Sequence, residues 1–360
     1  MRVSIVSILR GLVTISILAA LGLGAYLVYS KIPRFLDEFV HQKTVEEVTA
    51  GQEVIVTIPK GASVSQVGNI LQEKGVVSNR LIFKLVAWIR GEQRNIKAGD
   101  YALKTGSDAG DVLDQLISGK TLMFTLTVPE GYNIYQMADM FQQLGLMTRE
   151  EFLSIAKDKT FLKELSLDGQ SLEGYLFPDT YFFRHSEKAD GKLIIRRMAQ
   201  RFHQVYDKHV RSNAEEAGWT MGQVVTLASL VEKEAKLSEH QLVSAVFHNR
   251  LKQKMRLQSD PTAIYGIKPM GSKITRADLE RKQPYNTYQI DGLPPGPIAS
   301  PGRESLIAAV KPAADKDYLY FVAKNDGSHQ FSSTLAEHNR WVNLYQRQPR
   351  TEIQPTSKAR

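Results

Sequence analysis

Val56-Thr-Ile-Pro-Lys-Gly61-Ala-Ser-Val64-Ser-Gln66-Val67 returns further along the chain as Leu126-Thr-Val-Pro-Glu-Gly131-Tyr-Asn-Ile134-Tyr-Gln136-Met137, and the match continues through Leu71-Gln-Glu-Lys-Gly75 and Phe141-Gln-Gln-Leu-Gly145. Each copy reads as a short strand, a Pro-x-Gly turn and a helix closed by glycine. Val64, Val67, Ile70 and Leu71 form the expected buried stripe of the first copy, and Ile134, Met137, Ala138 and Phe141 that of the second. Two copies make paired supersecondary units and not a solenoid.

Working outward, a helix is expected around Leu81 to Ile89, a strand at Gly99 to Leu103, and a helix from Asp108 to Ile117 closed by Gly119. Helices packed on one face of a small sheet account for this order, so the expected class is α+β. From Glu150 to Pro261 the chain reads as mainly helical. Turn-rich segments follow, with short strands at Tyr318 to Val322 and His329 to Phe331.

Gly11 to Ser30 carries no charge and is apolar on all sides, long enough to span a bilayer. It lacks a small-x-small cleavage site before Lys31, so an uncleaved anchor is preferred to a signal peptide. Basic residues on its two sides are nearly balanced: Arg2 and Arg10 before, Lys31 and Arg34 after. With residues 1–10 too short for a domain, a cytoplasmic amino terminus puts the bulk of the protein outside. A polar connector, helical in pattern, occupies 31–51, and residues 346–360 form a basic, proline-containing tail.

The 42% hydrophobic and 23% charged content is that of a globular chain. A net charge of +8 favours anionic surfaces, but no basic cluster with interleaved aromatics points to nucleic acid. The absence of cysteine removes disulfides, thiolate chemistry and cysteine-based zinc sites. His329 and His338 are too far apart for one helical turn, and His248 lacks a partner at ligand spacing. No phosphate-binding glycine loop or serine elbow is present, so neither a metal nor another cofactor is expected.

Thr226 to Lys236 reads as an amphipathic helix, with Val224, Leu227, Ala228, Val231 and Ala235 on one face. On an ideal wheel Glu232 and Glu234 each lie roughly 80° from the centre of that stripe, on opposite flanks. A partly desolvated carboxyl there is suited to general acid work near neutral pH. Three more segments join it: Leu172-Glu173-Gly-Tyr-Leu-Phe-Pro178-Asp179-Thr-Tyr181; Phe247 to Gly266, with Gln258, Asp260 and Tyr265; and Tyr285-Asn286-Thr287-Tyr288 followed by Gly292 to Gly302. Aromatics beside amides and carboxylates equip a sugar groove, because a ring covers the apolar face of a pyranose while polar groups bond its hydroxyls.

These blocks, in this order after an apolar span and a βααβ-like unit, resemble the bacterial endolytic murein transglycosylase family over roughly residues 50 to 345. The resemblance implies a LysM-like module at 52–121 and a catalytic, YceG-like domain at 122–345, with the second repeat copy at 124–146. It implies that the second Glu of the Val-Glu-Lys-Glu helix, here Glu234, is catalytic. The wheel leaves Glu232 and Glu234 equivalent. Glu173, Asp179, Gln258, Asp260, Tyr265, Asn286 and Tyr288 become candidates for shaping the groove; Asp179 and Asp260 have structural readings too, as caps or turn residues.

The implied reaction cuts the β-1,4 bond between N-acetylmuramic acid and N-acetylglucosamine within a glycan strand and leaves a 1,6-anhydro end. Peptidoglycan is then the substrate, the cytoplasmic membrane of a bacterium the location with the catalytic domain in the periplasm, and penicillin-binding proteins are implied partners. A hydrolytic muramidase is the alternative enzyme, with Glu173 or Asp179 as its second carboxylate. A non-enzymatic murein-binding scaffold is the alternative outside enzymes.

Overall fold

The computed structural model describes residues 51–167 and 169–347. The expected span at 11–30, the connector up to Ala50 and the tail beyond Arg347 lie outside the described residues. Among those described, no helix is long and apolar enough to cross a membrane. The chain divides into two units, with the boundary between Thr121 and Leu122.

The first unit runs β1 (Glu53–Ile58), α1 (Val64–Glu73), α2 (Arg80–Ile89), β2 (Gly99–Lys104) and α3 (Ala109–Ser118). β1 and β2 pair antiparallel, Glu53 opposite Lys104 and Ile58 opposite Gly99. Each helix starts on a side-chain cap that satisfies amides left free at its first turn: Ser63 with Gln66, Asn79, and Asp108. Gly119, left-handed at φ 69°, ends α3. Val56, Val67, Leu71, Phe83, Leu113 and Leu116 fill the core between ladder and helices. Val64 and Ile70 only flank it.

The second unit repeats the scheme before elaborating it. β3 (Met123–Thr127), α4 (Ile134–Gln143), α5 (Arg149–Ala156) and α6 (Lys159–Glu164) lead to β4 (Thr180–Arg184), which pairs antiparallel with β3. The internal repeat is thus longer than the matching residues: both copies close on an antiparallel return strand. Among the described residues β4 is the one strand within the stretch from Glu150 to Pro261, which is otherwise helical and turn as expected. Phe183 is buried and Phe182 is 61% exposed, the alternation of a half-covered strand.

Eight helices follow: α7 (Gly191–His209), α8 (Arg211–Glu216), α9 (Met221–Glu234), α10 (His240–Lys252), α11 (Asp260–Ile264), α12 (Arg276–Glu280), α13 (Arg303–Val310) and, after the hairpin β5 (Tyr320–Ala323) and β6 (His329–Ser332), α14 (Leu335–Val342). The α+β class stands, but no single sheet carries the helices. The described strands form three separate two-stranded ladders.

α9 also departs from the expected amphipathic helix, because every residue from Val224 to Val231 is buried. It packs against α10, α11 and α13 and so has no free face along this run. Its polar residues are satisfied internally: the Thr226 hydroxyl donates to the Gly222 carbonyl and the Ser229 hydroxyl to the Thr226 carbonyl. Ala235, expected in the helical stripe, is the C-cap and extended at φ −142°. Glu234 is therefore the last helical residue, where the helix leaves the core.

Candidate active site around Glu234

The α9 helix starts on the Thr220 and Gln223 capping box and delivers Glu234 at its other end. A polar cradle from two distant loops receives it. The Ser259 hydroxyl and the Asp260 backbone N–H both donate to the Glu234 carboxylate. Ser259 is 1% exposed, and its own N–H donates to Thr287 Oγ1 at 2.9 Å. Thr287 Oγ1 also lies 2.8 Å from Thr262 Oγ1, and the Thr287 carbonyl accepts from the Gln258 N–H. Hydroxyls of 259, 262 and 287 thus lock the two loops under the carboxyl.

The local backbone explains the shape. Gln258 takes a left-handed φ of 54°, which turns the chain so that Ser259 and the first N–H of α11 face Glu234. Pro261 in the first turn of α11 pre-sets helical φ and removes a donor that would have no partner there. Behind the loop lies Arg250, only 8% exposed. Its guanidinium donates to the carbonyls of Leu319, Arg256 and Leu257 and to Gln258 Oε1, and stands over the Tyr320 ring. Five rigid donors in a fork suit this holding role.

Glu234 keeps part of its surface accessible, yet protein surrounds it closely enough that burial pushes its pKa up to about 7. The negative charge of Asp260 adds to the rise, while the Ser259 and Asp260 N–H donors work against it. The Tyr288 hydroxyl donates to Asp260 at 2.5 Å. Its pKa is raised by burial and by the Asp260 bond and charge, with the Glu234 charge contributing as well. Asp260 and Tyr288 thus stand beside Glu234, while the Gln258 side chain is held by Arg250 and its backbone leads into Ser259.

Glu173 and Tyr265 form a different cluster. Glu173, 2% exposed, accepts the Ile134 N–H at the start of α4 and the Tyr265 hydroxyl at 2.6 Å. Burial raises its pKa to about 7 despite these bonds. Tyr265 terminates α11, whose other end holds Glu234, so one short helix joins the two carboxyl clusters. The Tyr265 ring packs on Tyr285 and Tyr135. A cleft of about 540 Å³ opens beside Glu173, lined by Tyr175, Gln223, Thr226, Tyr285 and Pro295 among others; Glu234 does not line it.

Two sequence candidates sit elsewhere or point inward. Asp179 pairs with Arg201 at 2.8 Å and accepts its neighbour's N–H at the start of β4; none of its bonds reaches the Glu234 cradle. Asn286 is fully buried, and its amide donates to the carbonyls of Asp278, Leu279 and Arg281 while its carbonyl accepts from the Tyr288 N–H. With no surface left for a ligand, it shapes the loop that carries Thr287 and Tyr288. Glu232, the wheel's other carboxylate, accepts from the Gly302 N–H and the Ser305 hydroxyl at the start of α13. Ser259, Thr262, Thr287 and Arg250 went unselected by sequence reasoning. Their signal was the clustering of small hydroxyls within otherwise aromatic and proline-rich blocks.

The turn of the second repeat copy reaches the same helix end. Lys233 donates to the Gly131 carbonyl, and Gly131 and Tyr132 exchange backbone bonds with Ser300. The repeat's turn and the segments Phe247 to Gly266 and Tyr285 to Gly302 thus converge on the C-terminal turn of α9, while the bonds of Glu173 and Asp179 in the Leu172 to Tyr181 segment go to Ile134, Tyr265 and Arg201.

The YceG-like family model matches residues 56–344. The chain belongs to this family. Among its YceG-like relatives, the endolytic murein transglycosylase of Bacillus subtilis is 35% identical over 310 residues, covering 81% of this chain and 84% of the relative. The endolytic murein transglycosylase of Streptococcus pneumoniae is 32% identical over 361 residues and covers 90% of this chain, which spans 63% of that longer relative. A crystal structure of a putative yceG-like protein from Listeria monocytogenes aligns at 34% identity with a TM-score of 0.56, over 81% of this chain and 99% of that one.

Proposed function

We propose that this chain is an endolytic murein transglycosylase in which Glu234 is first the acid and then the base. Its carboxyl, set where α9 leaves the core and held by the Ser259 hydroxyl and the Asp260 N–H beside the Asp260–Tyr288 pair, is the observation that carries the reading, and burial keeps its pKa up to about 7. Below that pH it holds a proton to give to the glycosidic oxygen between N-acetylmuramic acid and N-acetylglucosamine. The leaving sugar departs with that proton, and the carboxylate then removes the C6 hydroxyl proton of the muramyl residue as its oxygen closes on C1. The product is a 1,6-anhydro end, and no water enters the bond.

Because the second nucleophile belongs to the substrate, the usual carboxylate partner is not needed. Glu173 and Asp179, the partners a hydrolytic muramidase would use, are engaged by Ile134 with Tyr265 and by Arg201. In this reading Gln258, Asp260 and Tyr288 orient the sugar. The relatives' activity supports the same reading. The first unit, LysM-like in its strand–helix–helix–strand order, grips glycan; residues 11–30 anchor the chain in a bacterial cytoplasmic membrane with the catalytic unit outside. There it ends nascent strands beside penicillin-binding proteins.

The test is mass analysis of murein digests made with wild type, Glu232→Gln and Glu234→Gln. Anhydro ends are expected from wild type and are lost in Glu234→Gln while its fold persists. Reducing ends heavier by one water would assign a muramidase, binding without digestion a scaffold, and full activity of Glu234→Gln would remove the mechanism.

A further inference from the structure

The outer face of α2 is apolar although nothing described covers it. Phe83 and Ala87 enter the core of the first unit, while Ile82, Leu85, Trp88 and Ile89 are 41%, 53%, 70% and 68% exposed. At 100° per residue these four and Leu81 occupy an arc of about 120° directly opposite Phe83 and Ala87. No charged side chain falls inside the arc. A groove of about 660 Å³ runs along it, lined by Val64, Leu81, Ile82, Leu85, Trp88 and Gln93 together with Lys84. Soluble surfaces rarely gather large apolar side chains this way.

The composition of the arc and its place in the chain identify the partner. α2 contains no acidic residue; on the same wheel Lys84 borders the arc, while Arg80 and the following Arg90 fall on the core side beside Ala87 and Phe83, where Arg90 pairs with Asp114 at 2.9 Å, and Arg94 and Lys97 follow the helix end. Glu92 is the single acid in this stretch, and it accepts from Asn95. Tryptophan with leucine and isoleucine on one side and a lysine at the border is the pattern of a helix lying in a membrane interface. The chain supplies the proximity: only residues 31–50 separate the apolar stretch ending at Ser30 from this unit, at most about 70 Å if extended.

We infer that the exposed face of α2 lies in the outer headgroup region of the membrane that anchors the chain, with Lys84 at its border on anionic lipid phosphates. The inference rests on the anchoring proposed above but not on the Glu234 chemistry. Seated in this way, the first unit is fixed at the bilayer and does not swing on the connector.

Full chain reconstituted into phosphatidylglycerol vesicles containing brominated acyl chains tests it. The fluorescence belonging to Trp88, taken as the difference between the intact chain and Trp88→Phe, is expected to fall at least twofold relative to unbrominated vesicles. Leu85→Glu with Ile89→Glu, both at exposed positions, is expected to abolish that fall while acrylamide gains access to Trp88. Retention of the chain on the vesicles with Trp88 indifferent to bromine overturns the inference alone. That holds whether acrylamide reaches the ring, as on a free surface, or does not, as under a second copy. Release of the chain by an alkaline wash overturns the anchor and this inference together, and glycan cleavage scored on the same vesicles reports separately on Glu234.

Discussion

Replacing Glu173 with Gln should remove a pH dependence of stability whose size follows from its surroundings. Glu173 is buried between the Ile134 N–H and the Tyr265 hydroxyl, and its pKa rises from the ordinary 4.5 to about 7, mainly through burial. Below pH 4.5 folded and unfolded chains both hold the proton, and stability is complete. Between 4.5 and 7 the unfolded chain releases it while the folded chain does not, so stability falls, and above 7 the loss is full. At about 1.4 kcal/mol per pH unit, the loss is ~3 kcal/mol. Gln keeps the shape, an acceptor for Ile134 and a donor for Tyr265, but does not titrate. Urea unfolding of wild type and Glu173→Gln at pH 4 and pH 8, in the same detergent, gives the difference directly. Any pH-independent cost of the substitution cancels, as does the same-signed slope from Glu234, present in both proteins. An equal fall in both, to within about 1 kcal/mol, would refute the buried titrating carboxyl.

The two donors and the charge beside Glu234 should move its titration in opposite directions. Removing the hydroxyl in Ser259→Ala takes away a bond that lowers the pKa, so the alkaline limb of the cleavage rate should shift upward by about half to one pH unit; Asp260→Asn removes a charge that raises it and should shift the limb downward. Rates of anhydro-end release from pH 5 to 9 score both, and shifts of the same sign would contradict the arrangement. Gly174→Ala should destabilise the second unit by ~2–4 kcal/mol, because its φ is +83° and a methyl would sit 2.6 Å from Pro297 and 2.7 Å from Val225; an unchanged melting temperature would count against that packing.

The strand–turn–helix echo was legible because strand alternation, capping residues and terminal glycines are local signals, and the helices at 64–73, 80–89 and 109–118 follow them. The closing strand of the second copy was harder to see, since Thr180–Arg184 has few residues and no counterpart of the Pro-x-Gly turn. The buried run of α9 was misread because a helix enclosed by three others does not show an amphipathic period, and its Thr226 and Ser229 look like a polar face until their carbonyl partners are known. At the site, sequence reasoning favoured large polar and aromatic side chains. Asp260 and Tyr288 stand beside Glu234, whereas the Gln258 side chain is taken by Arg250, and Asn286 turned inward because a loop carrying three free carbonyls needed its amide. Ser259, which touches the carboxyl, was overlooked because the hydroxyl cluster it forms with Thr262 and Thr287 is completed only when the two loops meet in the fold.

Glu232 and Glu234, two residues apart at the end of one helix, show how position separates identical chemistries. Glu232 meets the free N–H of Gly302 and the Ser305 hydroxyl and is held at the start of α13. Glu234, where α9 leaves the core, faces a hydroxyl and one N–H from a loop braced by Arg250. A group that must give a proton and then take one cannot be governed by burial alone, because burial without donors would leave its carboxylate too costly to form. Donors without burial would instead release the proton before substrate arrived. The cradle sets these against each other: burial and Asp260 hold the proton on, while Ser259 and the Asp260 N–H stand ready for the carboxylate. A value near neutrality is the balance of these opposed terms, and it is the condition under which proton donation and proton removal by one side chain are both efficient. In the proposed reaction the second nucleophile comes with the sugar, and this balance is what the protein itself contributes.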